Sequence, residues 1–199
     1  MRKLSILALC LATLLLPSCS PRDFLTRRLA ADLIAASDAF SAPQQLQLRT
    51  GLISNQGRLS PEYIQLQHRG WISAANAPCP AALAPPPCWD ITLTPSGVDT
   101  FQSLIAPGDA EKPSFNIPAA RRELVAITGI AKQGNVAHVE FTWRWVPLNE
   151  VGAVLYSGDV HYQSSASFRC YDDGWRVVER VSRPPESLDE SLQNAEPAH

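Results

Sequence analysis

Few side chains in this sequence have the types and spacing that chemistry needs. His138 and Glu140 stand two residues apart, as do Asp159 and His161. In an extended strand both members of such a pair leave the same face. On neighbouring strands, two imidazoles and two carboxylates form a donor set that suits a divalent metal. The same four side chains equally suit the solvated face of an antiparallel sheet. Phe141, Trp143 and Trp145 take alternate positions of one run. They share the opposite face and line either a small apolar ligand pocket or a core. Cys79 and Cys88 flank Pro-Ala-Ala-Leu-Ala-Pro-Pro-Pro, which has little regular structure of its own. A disulfide closing that loop is the economical pairing in an oxidising compartment. Cys170 alternates with Phe168 and is left as a buried, inert thiol. A nucleophile elbow, a phosphate-cradling glycine loop and a paired-His helical zinc motif are all missing. The sequence therefore assigns no catalytic residue, no metal ligand beyond those four weak candidates, and no cofactor.

The first twenty residues, MRKLSILALCLATLLLPSCS, say where such a domain would work. Arg2 and Lys3 precede an uncharged run over residues 4–16. That run falls short of the roughly 20 apolar residues a helix needs to cross a bilayer. It fits the apolar core of a secretory signal, with the small Ser18 before the cut. Leu16-Pro17-Ser18-Cys19 resembles the lipobox of bacterial lipoproteins: an aliphatic residue, a variable one, a small one, then cysteine. The resemblance implies removal of residues 1–18 as a signal peptide and a palmitate-type lipid on Cys19. It also implies a protein held on the lipid bilayer of the cell envelope. Ser20, rather than Asp, after the cysteine implies the periplasmic face of the outer membrane.

Composition argues against nucleic acid. The chain has 17 basic and 19 acidic residues, and loss of Arg2 and Lys3 leaves 15 against 19. Nucleic-acid binding demands a clustered basic surface. A hydrophobic content of 45% is ample for a packed core.

The elements that must position these residues follow from periodicity. Ser20 as N-cap, Pro21 in the first turn and the spacing of Leu25, Leu29, Leu33, Ala36 and Phe40 predict one amphipathic helix over 21–40. It would begin almost at the lipid, with Arg22, Arg27 and Arg28 near the headgroups. Residues 44–54 are helix or strand, and Asn55-Gln56-Gly57 is a turn. Ser60-Pro61-Glu62 opens a helix that stops at Gly70; residues 89–94 are extended, and Ser96 opens another short helix. Leu66, Gly70-Trp71-Ile72 and Ile91-Thr92-Leu93-Thr94-Pro95-Ser96-Gly97 resemble the helix, wing and following helix of a winged-helix module, over about 61–105. With only His68 and Arg69 basic across residues 60–94, the resemblance implies shape and protein contacts rather than DNA binding. Residues 106–120, rich in Pro, read as a linker.

The strictest pattern lies beyond it. Over residues 136–146 the side chains alternate, the mark of a half-buried strand. Lys132-Gln133-Gly134-Asn135 and Asp172-Asp173-Gly174 are hairpin turns, and residues 156–163 supply one more strand. The segment Phe-Arg-Cys-Tyr-Asp-Asp-Gly-Trp-Arg-Val is similar to the final hairpins of NTF2-like small α+β domains. The acidic residues 184–199 sustain no apolar face and read as a disordered tail.

The expected fold is α+β: a helical, winged-helix-like half over 19–105 with a disulfide-closed loop, a linker, then an antiparallel β-meander over 121–183 packed on a helix. The expected function is that of an envelope lipoprotein acting through contacts with another envelope protein, not through catalysis. The alternatives are a small-apolar-ligand module using Phe141, Trp143 and Trp145, and third a metal-dependent enzyme using His138, Glu140, Asp159 and His161.

Overall fold

The computed structural model describes residues 24–83, 86–105, 113–178 and 188–197. In chain order these form α1 (Arg27–Ala35), α2 (Asp38–Ser41), β1 (Gln44–Arg49), β2 (Gly51–Ser54), α3 (Asn55–Arg58) and α4 (Pro61–His68). Next come β3 (Ile72–Ala77), a 3-10 turn (Ala81–Leu83), β4 (Cys88–Leu93) and α5 (Pro95–Gln102). The remainder is β5 (Ser114–Gln133), β6 (Val136–Pro147), α6 (Glu150–Leu155), β7 (His161–Tyr171), β8 (Gly174–Val177), α7 (Leu188–Gln193) and β9 (Glu196–Pro197). The class is α+β, and both sheets are antiparallel.

The larger sheet runs β1-β5-β6-β7-β8, with β9 added to β7; the smaller runs β2-β4-β3. Four consecutive strands, β5 to β8, make the expected meander. Gly134 takes φ +61° at the first central position of the two-residue β5–β6 turn, a conformation an L side chain rarely adopts. The alternation along β6 is realised: Ala137, Val139, Phe141 and Trp143 are buried while His138 and Glu140 are exposed.

Several expectations over the linker, tail and first helix are corrected. The linker predicted over 106–120 gives way from Ser114 onward to the start of β5, where Phe115, Ile117 and Ala119 are buried. Alternating apolar residues outweigh the single Pro118, which stands opposite Gln45 at a register shift. The tail predicted as disordered over 184–199 contains α7, whose Leu188 and Leu192 are buried. Two leucines four apart suffice to dock a short helix that has a sheet to lie on. The strand predicted over 156–163 starts only at His161 and runs on to Tyr171 as β7. The helix predicted over 21–40 is split at Ser37, which is extended at φ −70°, ψ 146°. Its hydroxyl donates to Ile34 O at 2.6 Å, and the break turns Phe40 into the core. Thr26 caps α1, its Oγ1 accepting from Leu29 N at 3.1 Å; Ser20 and Pro21 lie outside the described residues.

The expected division into two halves is also redrawn. Helices α1 and α2 pack on the larger sheet, and β1 is that sheet's outer strand. One core unites Ile34, Phe40, Phe141, Trp143, Phe168 and Leu188. The other unites Leu48, Leu66, Trp71, Ile91, Phe101, Ile117 and Val151. Strand β5 serves both, with Phe115 and Ile117 in one and Ile127 in the other. Between them it shifts register at Leu124/Ala126 and Ile127/Gly129, and such bulges bend a strand.

The smaller sheet is built by local signals. Gly70 at φ +77° follows α4, with Gly70 N bonded to Gln67 O and Trp71 N to Leu66 O, the pairing of a Schellman cap. Thr94, not Ser96, caps α5, accepting from Gly97 N at 3.0 Å. A Cβ on Gly97 would lie 1.9 Å from Trp71 O, so only glycine lets α5 come this close. Cys79 and Cys88 form the expected disulfide across nine residues of sequence.

Two outcomes follow. Phe40→Ala should lower the unfolding free energy in urea by about 3–5 kcal/mol, because the helix side of the first core loses its central ring. Replacing Cys79 and Cys88 together by Ser should cost about 2–3 kcal/mol through the freed loop, measured in the same assay without reductant.

Candidate functional site

Where the inner face of the larger sheet would offer a hollow, it is filled. The Phe40 ring meets Phe141 at 6.2 Å and Trp143 at 6.5 Å, both edge-on. Trp143 Nε1 donates to Ser164 Oγ at 3.0 Å, and Ser164 Oγ donates to Ser191 O on α7 at 3.1 Å. Phe141 and Trp143, proposed as pocket residues, are therefore core. The indole N–H is already bonded within the protein.

Trp145 differs. It lies two residues further along β6 and is half-buried. Its ring packs edge-on against Trp143 at 5.0 Å and tilted against Tyr156 at 5.4 Å, while Tyr162 stacks on Trp143 at 4.7 Å. The Arg122 guanidinium lies 4.8 Å from the Trp145 ring centre and 5.4 Å from that of Trp143. Its Nη1 donates to Ala39 O at 2.9 Å, and its Nε is buried without a hydrogen-bond partner. Burial pulls the Arg122 pKa below its ordinary value, and the charge of Asp189 partly offsets this. A cavity of about 170 Å³ is lined by Trp145, Leu155, Tyr156, Val160 and Tyr162. It adjoins a cleft of about 630 Å³ lined by Arg144, Trp145, Tyr156 and Asp159 among others.

On the outer face beside it runs an ion chain. Arg144 Nη2 meets Glu123 Oε1 at 2.6 Å and its Nη1 meets Asp159 Oδ1 at 3.4 Å; His161 Nε2 lies 3.4 Å from the same Asp159 oxygen. The hydrogen bond to Glu123 raises the Arg144 pKa above its usual value. These groups are solvent-exposed, so the chain shapes the surface more than it stabilises the fold.

The four metal candidates do not converge. His138 pairs with Ser167 and Arg144 with His161. That register places His138 and His161 six residues apart along the ladder, about 20 Å at the usual rise per residue. Among the described residues no group of three or more His, Cys, Asp or Glu could hold a metal ion. Cys170 is half-buried rather than buried and carries a free thiol. Cys19 lies outside the described residues. Sequence reasoning missed Arg122, Glu123, Arg144, Tyr156 and Tyr162. Alternation did put Arg144 on the face of His138 and Glu140, but its partners depend on strand register.

A second cleft, of about 590 Å³, lies where the chain passes from β1 to β2 and is lined by Gln47, Arg49, Leu52, Ser60, Tyr63 and Pro113 among others. The Tyr63 hydroxyl accepts from Arg49 N at 2.7 Å and donates to Arg49 O at 2.9 Å. Burial raises the Tyr63 pKa, and burial likewise raises that of Tyr156.

No protein-family model, no curated protein and no solved structure matches this chain.

Both raised phenols give a signed pH dependence. Their folded-state pKa values exceed the unfolded value of 10.0, so the stability they contribute is present below pH 10 and is lost as pH rises through the raised values. Absorbance titration at 295 nm should show a late component that disappears when Tyr63 and Tyr156 are both replaced by Phe. An unchanged curve in that variant would contradict it.

Proposed function

We propose that this chain is a bacterial envelope lipoprotein, anchored through Cys19 in the outer membrane's periplasmic leaflet, and that it works through contacts with another envelope protein rather than by catalysis. The observation that carries the non-catalytic part is the filled inner face. Phe40, α7 and the Ser164 bond occupy the volume in which a sheet of this kind would gather substrate and reacting groups. The separation of His138 and Glu140 from Asp159 and His161 along the β6–β7 ladder speaks against one metal site shared by the four.

Three observations support the anchored location. The Cys79–Cys88 disulfide suits an oxidising compartment. No described helix is long and apolar enough to cross a membrane. The buried Leu25 comes six positions after Cys19, a reach of about 20 Å at full extension. The body therefore rides close to the headgroups. Of the arginines expected to face them, Arg27 and Arg28 are both exposed, Arg27 Nη1 also donating to Ile127 O at 3.2 Å, and Arg22 lies outside the described residues.

The winged-helix reading gains support from connectivity: strand, two helices and a two-stranded wing, with β2 beside β4 and β4 beside β3. In this chain the module serves as a shape for protein contact. Small-ligand binding stands as the second reading. It rests on Trp145 with Tyr156 and Tyr162 around the smaller cavity, no longer on Phe141 or Trp143.

The decisive test is metabolic labelling with a fatty acid in a bacterial host. The wild type should take up label and fractionate with membranes, and Cys19→Ser should do neither. Equal labelling of both proteins would sink the anchor.

A further inference from the structure

The open edges of the two sheets are not alike. At β1 the hydroxyl of Tyr63 occupies both backbone groups of Arg49, and the strand carries the Arg49 charge. Strand β2 is four residues long and runs straight into α3; β8 is also four residues and carries the Arg176–Asp173 ion pair. These are the devices that keep sheet edges from pairing: short length, charge, and occupation of the backbone. Strand β3 has none of them. Its six residues, Ile-Ser-Ala-Ala-Asn-Ala, include no charge and no proline, and its register on β4 is unbroken. Among the described residues only β4 pairs with it.

The edge is also held in place from both ends. Trp71 and Ile72 are buried in the second core at one end. At the other, Ala77 stands opposite Cys88, whose disulfide closes the hairpin tip. A strand ordered in advance loses little freedom on pairing. Its outward backbone donors and acceptors match those of another extended strand, which can replace the water that otherwise satisfies them.

We propose that β3 is a homotypic docking edge, where two copies of this chain pair antiparallel to form a continuous six-stranded sheet, β2-β4-β3-β3-β4-β2. Buried Ile72 and Pro78, which has no N–H to donate, bracket the usable stretch at residues 73–77, so the two-fold axis passes near Ala75. Ala75 then faces its counterpart, Ala74 faces Asn76, and Ser73 faces Ala77. No like charges meet, and the small side chains on both faces admit close approach. Asp90 lies opposite Ala75 on β4; its counterpart is three strand spacings away, about 14 Å, beyond the Debye length at physiological salt. Such an interface is isologous and closed, so it makes pairs rather than fibres.

The test uses the full chain in detergent micelles. Facing residues on antiparallel strands have Cα atoms about 4.5–5.5 Å apart, within disulfide reach. With Cys10→Ser, Cys19→Ser and Cys170→Ser as background, so that no thiol depends on processing or lipid, Ala75→Cys should yield a disulfide-linked dimer on mild oxidation. Asp99→Cys, on the exposed side of α5, should stay monomeric, and adding Asn76→Lys to Ala75→Cys should cut linking at least tenfold. Circular dichroism confirms that each variant is folded. A folded Ala75→Cys protein that remains monomeric, or linking at Asp99→Cys to the same extent, overturns the proposal. Dimer formation is read without lipid label or partner protein, so its failure and that of the anchored-lipoprotein reading are separately visible.

Discussion

The ladder along β5 ties the molecule together, because one twenty-residue strand carries the inner residues of two separate cores. Its first part pairs with β1 and buries Phe115 and Ile117 against the Trp71–Phe101 side; its second pairs with β6 and buries Ile127 beside Phe141. A strand this long cannot remain straight across two bodies of different curvature, and the two register shifts near its middle accommodate the bend. Both cores therefore join elements from before β5 to elements contributed after it. Helices α1 and α2 reach forward to cover β6 and β7, and Val151 on α6 reaches back into the core built by α4 and β4. Gly152 marks how close that return is: a Cβ there would lie 1.8 Å from Ala119 O.

Local patterns were the legible part of this fold. The alternation of Ala137, Val139, Phe141 and Trp143 named a strand and its buried face, and Gly134 and Gly174 named its turns. The prolines and cysteines around the 79–88 loop named the disulfide. What escaped the sequence was long-range. Nothing near Gln44 says that β1 will sit beside a strand seventy residues later. Leu188 and Leu192 look like an acidic tail until a sheet exists for them to lie on. The candidate site failed for the same reason. Spacing could place His138 and Glu140 on one face, as it did Asp159 and His161, but only the β6–β7 register shows the pairs far apart and hands Asp159 to Arg144.

On the proposed reading the surface serves contact rather than chemistry. Aromatic rings that might have faced a substrate are packed on one another, and the exposed carboxylates nearest them are neutralised by Arg144. Polar side chains near the clefts are spent on backbone groups, as Tyr63 is on Arg49. The disulfide-braced hairpin, by contrast, puts rigidity where there is little core to hold, which is what a surface held ready for another chain requires.

If β5 makes the two cores one cooperative body, they must unfold together. Native-state hydrogen exchange in rising urea, read by mass spectrometry on peptides from β4 and β5 of one core and β6 and β7 of the other, measures this directly. The account predicts that the slowest amides of both regions merge into one global opening with the same free energy and the same urea dependence. Two separate openings, with the β3–β4 region exchanging at a free energy well below that of β6–β7, would contradict it.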